Sequence, residues 1–197
     1  MPVPDFSPGE VLTAAAMDAV GLWRNTNCTV TSVGGTAATA SNGVVTVGTN
    51  NTSVTVNNAF SSDYNAYKIV YTGGTGSAGT ALQIQIGAAA AGYYGTLVYA
   101  GYGGAGAPLA VRDNNVAQFT YAGSTDTLNN WLNVEIHNPF NTTRTAIYGS
   151  YVEGGAGRNS GTYNGFLDNA TSYTSVRIFP AAGNITGGTI RIYGYRL

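Results

Sequence analysis

The sequence predicts an all-β protein: a jelly-roll-like antiparallel β-sandwich preceded by a short docking segment that contains a helix. Three observations carry that prediction. Six segments beyond residue 58 alternate apolar and polar residues with a period of two, as strands with one buried and one solvated face do. The chain has 28 glycines, and they gather between those segments, where tight connections need them. Only one run has helix chemistry, so few helices are at hand to cover a sheet and two sheets must cover each other.

The helical run comes first. After the proline-marked stretch 2–8, Leu12-Thr13-Ala14-Ala15-Ala16-Met17-Asp18-Ala19-Val20 is closed by Gly21. Thr13 suits an N-cap, alanine has the highest helix propensity, and Gly21 suits the position past the helix end. Leu12, Ala16, Met17 and Val20 share one face. Two turns of helix are not stable alone in water, so this helix must dock on something. Residues 1–24 are therefore expected to form a docking segment, with Leu12, Met17, Val20, Leu22 and Trp23 as its anchors.

Residues 25–57 are rich in Thr, Ser, Asn, Gly and Val and predict three short strands near 28–31, 44–47 and 54–56. Their apolar side chains are too small for a core of their own. From 58 to 197 the strands are heavier, at 67–71, 82–86, 131–136, 145–151, 175–179 and 189–193, with weaker ones at 96–99 and 117–121. Leu132/Val134/Ile136, Val176/Ile178 and Ile190/Ile192 each form an inward row. The glycine-rich stretches 72–79, 101–106 and 154–161 read as loops. About eight strands with several long connections fit Greek-key crossovers.

Composition excludes several functions. The chain of 197 residues has 8 basic and 9 acidic residues, a net charge of −1, and 9% charged residues where soluble domains average roughly 25%. Such a surface offers no electrostatic footprint for nucleic acid or anionic lipid. Cys28 and His137 are the only residues of their kinds, so neither an internal disulfide nor a Cys/His zinc site is available. At 44% hydrophobic the chain has enough apolar residues for a core, and near-zero net charge favours association over free diffusion. No apolar run reaches membrane-span length and no secretion signal is visible near Met1, so cytoplasmic synthesis is expected.

Catalytic and cofactor signals are weak. Gly101-Tyr102-Gly103-Gly104-Ala105-Gly106 has G-x-G-x-x-G spacing, but Pro108 follows and no helix opens there, so it reads as a loop. His137 ends a strand, and no G-x-S-x-G elbow accompanies it. Asp113, Asp126, Glu153 and Asp168 read as loop residues, and Glu135 shares a solvated face with Trp131 and Asn133. No pair of them has a spacing that marks acid–base chemistry or calcium, and neither catalytic residues nor a cofactor is assigned. The 14 tyrosines carry more information. Tyr93, Tyr94 and Tyr102 lie in or near glycine-rich loops, and Arg191, Tyr193 and Tyr195 fall opposite Ile190 and Ile192. These six are the expected contacts to a like subunit or to a glycan, because tyrosine supplies contact area at low entropic cost.

The run Phe6-Ser7-Pro8-Gly9-Glu10-Val11-Leu12-Thr13-Ala14-Ala15-Ala16-Met17-Asp18-Ala19-Val20 resembles the N-terminal signature of bacteriophage virion structural proteins, tail fibres and minor tail proteins among them. Asp18 stands where that signature usually has Asn. Gly187-Gly188-Thr189-Ile190-Arg191-Ile192-Tyr193-Gly194-Tyr195-Arg196 is similar to the closing strand of β-sandwich domains in such proteins, including those of cyanobacterial phages. Tyr64-Asn65-Ala66-Tyr67-Lys68-Ile69 is similar to the first strong strand of the same domain. The resemblance implies a non-enzymatic virion component, attached to the particle by its N-terminus, projecting a sandwich outward and commonly trimeric. Its expected partners are other virion proteins and a host surface glycan. A tail fibre or tail-associated protein is the first expectation, with a capsid decoration or head-fibre protein and a host-glycan-binding module as alternatives.

Overall fold

The computed structural model describes residues 22–103, 107–154 and 158–195. The predicted helix, with Leu12, Met17 and Val20, lies outside them. Within the described residues the protein is all-β and antiparallel, with seventeen strands and no helix.

The Thr/Asn-rich stretch supplies β1 (Trp23–Arg24), β2 (Thr29–Val33), β3 (Thr39–Ser41), β4 (Val44–Thr46) and β5 (Ser53–Asn57). β3 and β4 are joined by Asn42-Gly43, both at positive φ (48° and 70°). That two-residue turn matches the right-handed twist of its flanking strands, and both residue types tolerate the left-handed region. The heavier part supplies β6 (Ala66–Thr72), β7 (Thr75–Gly76), β8 (Thr80–Ile86), β9 (Tyr93–Gly101), β10 (Leu109–Val116) and β11 (Phe119–Thr125). It continues with β12 (Asn130–His137), β13 (Thr145–Val152), β14 (Asn159–Leu167), β15 (Val176–Pro180), β16 (Ile185–Thr186) and β17 (Thr189–Tyr195).

β12 is the hub of the main sheet. One of its edges pairs β6 from Trp131 to His137, and β6 in turn pairs β17. Its other edge is shared: Asn130–Leu132 pairs β11, whereas Val134–His137 pairs β13. The sheet therefore forks. One branch runs β13-β14-β9-β10 and the other runs β11-β8-β15-β5-β2. On the far side, β17 also pairs β1 and β4. β7 and β16 form a separate two-stranded ribbon.

The branches enclose one hydrophobic cluster. Leu82, Ile84, Ile86, Val176 and Ile178 are buried in it together with Ile69, Leu132, Val134, Ile136, Ile190 and Ile192. Each such side chain contributes roughly 1.5–3 kcal/mol through removal from water. Val45, Val47, Val54 and Val56 enter the same cluster, so residues 25–57 bury their small apolar side chains against the heavier strands.

Buried tyrosines are a second structural device. The Tyr67 hydroxyl donates to Ser61 O (2.8 Å), Tyr71 donates to Gly187 O (2.9 Å), and Tyr93 accepts from Ile86 N (2.8 Å). A buried hydroxyl without a partner would be costly, and each of these has one.

Several sequence expectations need correction. Residues 159–161, expected to close a loop, instead open β14, and Leu109–Val116 forms a strand that the Asn- and Asp-rich sequence did not announce. Asp113 is not a loop residue available for calcium or catalysis. It lies in β10, is buried, and accepts hydrogen bonds from the Tyr163 hydroxyl (2.6 Å) and Thr120 N (3.1 Å). Burial, together with that carboxylate, pushes the Tyr163 phenol pKa upward. Asp113→Ala leaves a buried hydroxyl and a backbone N–H without an acceptor. We expect it to cost about 2–4 kcal/mol, lowering Tm by roughly 5–15 °C in a melt followed by circular dichroism. Asp113→Asn, which keeps an acceptor, should recover part of that loss, and equal melting of the Ala variant and the native chain would refute this role.

Candidate functional site

The outward face of β17, β6, β12 and β13 gathers the scarce chemistry of this chain. Alternation puts it there. β12 buries Leu132, Val134 and Ile136 and turns Trp131, Asn133, Glu135 and His137 outward. β6 buries Tyr67, Ile69 and Tyr71 and presents Lys68, Val70 and Thr72, while β17 buries Ile190 and Ile192 and presents Arg191, Tyr193 and Tyr195. Tyr148 and Ser150 of β13 complete the face. The only lysine, the only histidine and one of the two tryptophans of the chain thus share one surface.

Strand register orders these groups into rows. Tyr193, Lys68, Glu135 and Tyr148 lie directly opposite one another across four strands, and Arg191, Val70 and Asn133 form the neighbouring row. The Tyr195 hydroxyl donates to Glu135 (2.9 Å), and the His137 ring meets the Tyr148 ring edge-on at 5.2 Å. Burial, and then the hydrogen bond to the Glu135 carboxylate, push the Tyr195 phenol up to about 12. His137 Nε2 lies 3.9 Å from Glu135. Arg144 pairs with Asp168 at 2.7 Å, and Lys68 takes part in neither of these two contacts, the ion pairs found among the described residues. In the strand register Lys68 stands opposite Glu135, whose carboxylate accepts from Tyr195.

The fork gives this face its relief. Where β13 parts from β12, Ser150 and Val152 stand across from Trp131 and Asn133, and a groove of about 370 Å³ opens between them. Val70, Thr72 and Lys68 form its other side, above Tyr71 and Leu132. Trp131 is 41% exposed at this groove. A hollow of about 470 Å³ lies beside Ala89, Asn169 and Tyr173, and two more lie elsewhere on the described residues. One, of about 480 Å³, lies beside Tyr94 and Phe166, whose rings stack at 5.2 Å, and is lined by Arg112, Asn114 and Asn164. The other, of about 360 Å³, lies between Arg24, Asn27, Asn58 and Tyr64.

The residues expected from sequence divide accordingly. Arg191, Tyr193 and Tyr195 lie on the outward face, and Arg191 Nη1 donates to Thr189 Oγ1 (2.9 Å). Tyr94 is half-buried against Phe166, and Tyr102 is 65% exposed at a turn, away from any described hollow. Tyr93 is a correction: it is fully buried in β9, its ring packed edge-on to Phe119 at 4.8 Å, so it meets neither subunit nor glycan. The flanking glycines mark it as a loop residue in sequence, but β9 takes the ring into the core. Leu22 is exposed. Trp23 belongs to β1, opposite Gly194, and its half-buried side chain holds an indole N–H shielded from solvent. Lys68, Trp131, Asn133 and Ser150 were not singled out as a site. Alternation placed Trp131 and Asn133 on a solvated face, but nothing local marks the groove.

Neither a protein-family model nor a curated protein matches this chain.

Proposed function

We propose that this chain is a non-enzymatic structural component of a bacteriophage virion, a tail fibre or tail-associated protein that docks by its N-terminal segment and projects its β fold outward. The observation that carries this reading is the resemblance of residues 6–20 to the N-terminal signature of virion proteins. The branched sheet, read as the two leaves of a jelly-roll-like sandwich, is compatible with it. So is the junction: the N-terminal segment enters the fold through β1, which pairs the closing strand β17. The partners in this reading are other virion proteins and like chains in a homotrimer, with Val98 and Phe166 exposed on the β13-β14-β9-β10 branch as apolar contact material.

The test is deletion of residues 1–21, which spares β1. The truncated chain should keep a β-type circular dichroism spectrum and a cooperative melt while its incorporation into particles falls to background. Normal incorporation of the truncated chain would sink the docking reading. A label at the C-terminus, located by electron microscopy, separates a tail position from a capsid decoration or head fibre.

A further inference from the structure

We propose that the groove beside Trp131 is a binding site for an acidic saccharide, a sugar ring carrying a carboxylate. This inference does not rest on the virion reading, because it concerns the purified chain and a soluble ligand.

The walls are braced before any ligand arrives. β12 is held by β6 along seven consecutive register pairs, and Ser124 Oγ of β11 donates to Val152 O of β13, tying the two branches together at the fork. A preformed site loses little ordering entropy on binding. Its volume of about 370 Å³ is near the lower end of small-molecule sites, which span roughly 300–1,000 Å³.

The lining then selects the chemistry. The exposed indole of Trp131 offers a flat face with negative quadrupole, on which the weakly positive C–H bonds of a pyranose ring can stack. Val70 and Val152 extend that apolar surface. Asn133 and Ser150 supply donors and acceptors for ring hydroxyls, and no side-chain partner within the described residues engages either. A purely apolar ligand would leave those groups unused, and a neutral sugar would leave Lys68 unused.

Lys68 decides the charge. It lines the groove, is the only lysine of the chain, and makes no ion pair among the described residues, where the carboxylate of Glu135 opposite it accepts from Tyr195. With so few charges on this protein, Glu135 is the carboxylate opposite that ammonium in the strand register, and the Tyr195 hydroxyl already occupies part of its acceptor capacity. A carboxylate on the ring stacked against Trp131 would gain a charge-assisted hydrogen bond from Lys68.

The experiment titrates the full chain with acidic probes (digalacturonate, a glucuronate-containing hyaluronan disaccharide and sialyllactose) and with the neutral probes galactobiose and lactose. The readout is amide and indole N–H shifts in proton–nitrogen NMR spectra. We expect saturable shifts at Trp131, Asn133 and Lys68 with at least one acidic probe, and binding to its neutral counterpart weaker by about tenfold. Trp131→Ala should abolish the shifts, and Lys68→Gln should bring acidic binding down to the neutral level. Raising salt should weaken the acidic ligand selectively. Both variants change side chains at the surface, and their melts verify folding. The proposal is overturned by the absence of saturable shifts with every acidic probe up to about 10 mM, or by equal binding of neutral probes. It is also overturned if Trp131→Ala alters only self-association in sedimentation, which would make the groove a contact between copies.

Discussion

Raising the pH from about 8 to about 11 should destabilise this protein by roughly 5–6 kcal/mol and bring it to the edge of unfolding. The cause is four tyrosines, Tyr71, Tyr93, Tyr151 and Tyr163, which are buried in the described core. Burial pushes each of their phenol pKa values well above the ordinary value of 10.0. For Tyr151 the nearby Glu153 adds to the effect, and for Tyr163 the Asp113 carboxylate does. The sign follows from proton linkage. A folded-state pKa raised above the unfolded one means that the unfolded chain releases its protons first as pH rises. The contribution is fully present below about pH 10 and is lost progressively on the way to the higher folded values. One unit above the free phenol value, each group has lost about 1.4 kcal/mol. The four together approach the total stability of an ordinary domain, roughly 5–15 kcal/mol. Phenolate absorbance and far-ultraviolet circular dichroism, followed together against pH, should show these tyrosines ionising only as the β signal collapses. Ionisation of every tyrosine in one reversible step, with the β signal intact, would refute the prediction.

The second large effect is expected from Gly123→Ala. Gly123 lies in β11 between Leu82 of β8 and Leu132 of β12, at the fork where β11 and β13 divide the edge of β12. A Cβ there would stand 2.2 Å from the Trp131 carbonyl oxygen and 2.9 Å from Leu132 Cα. Those are backbone atoms in a hydrogen-bonded ladder, so no side-chain rotation relieves the contact. The strands must part instead. We expect a loss of more than about 3 kcal/mol and a fall in Tm of roughly 6–12 °C. The Trp131 groove should be disturbed with it, because Trp131 is opposite Ser124 in the same register. Gly79→Ala is the control, since nothing lies within 4 Å of a Cβ at that position. It should stay within about 0.5 kcal/mol of the native chain. Similar melts for the two variants would show that the fork tolerates a side chain.

The parts of the fold that were legible in the sequence share one property: their apolar and polar residues alternate without interruption. β12 and β17 show it, and their buried rows are the expected ones; β8 buries Leu82, Ile84 and Ile86 but also Gln83 on its other face. β14 and β10 were not legible, for a physical reason. β14 contains Gly161, Asn164 and Gly165, and β10 contains Asp113-Asn114-Asn115, all residues of low strand propensity. Neighbouring strands override that preference. Eight consecutive register pairs with β13 and nine with β9 hold β14 extended, and the Tyr163 hydroxyl gives Asp113 the partner that burial requires. The site was legible by halves. Alternation placed Arg191, Tyr193 and Tyr195 on one face, and Glu135 with Trp131 and Asn133 on another strand's solvated face. Their assembly into rows depends on register between strands far apart in the chain.

By itself, the sequence determined that this protein is built from antiparallel strands, that its charge is scarce, and which sides of β12 and β17 face water. These are local matters, decided by the two-residue period of a strand and by side-chain chemistry. Tertiary structure alone decided that Tyr93 is core, that Asp113 turns inward, and that β12 divides its edge between β11 and β13. Each depends on contacts between segments distant in sequence, where pairing and burial outweigh local preference. The groove at Trp131 belongs to that second group, since it exists only because two strands leave the same edge in different directions.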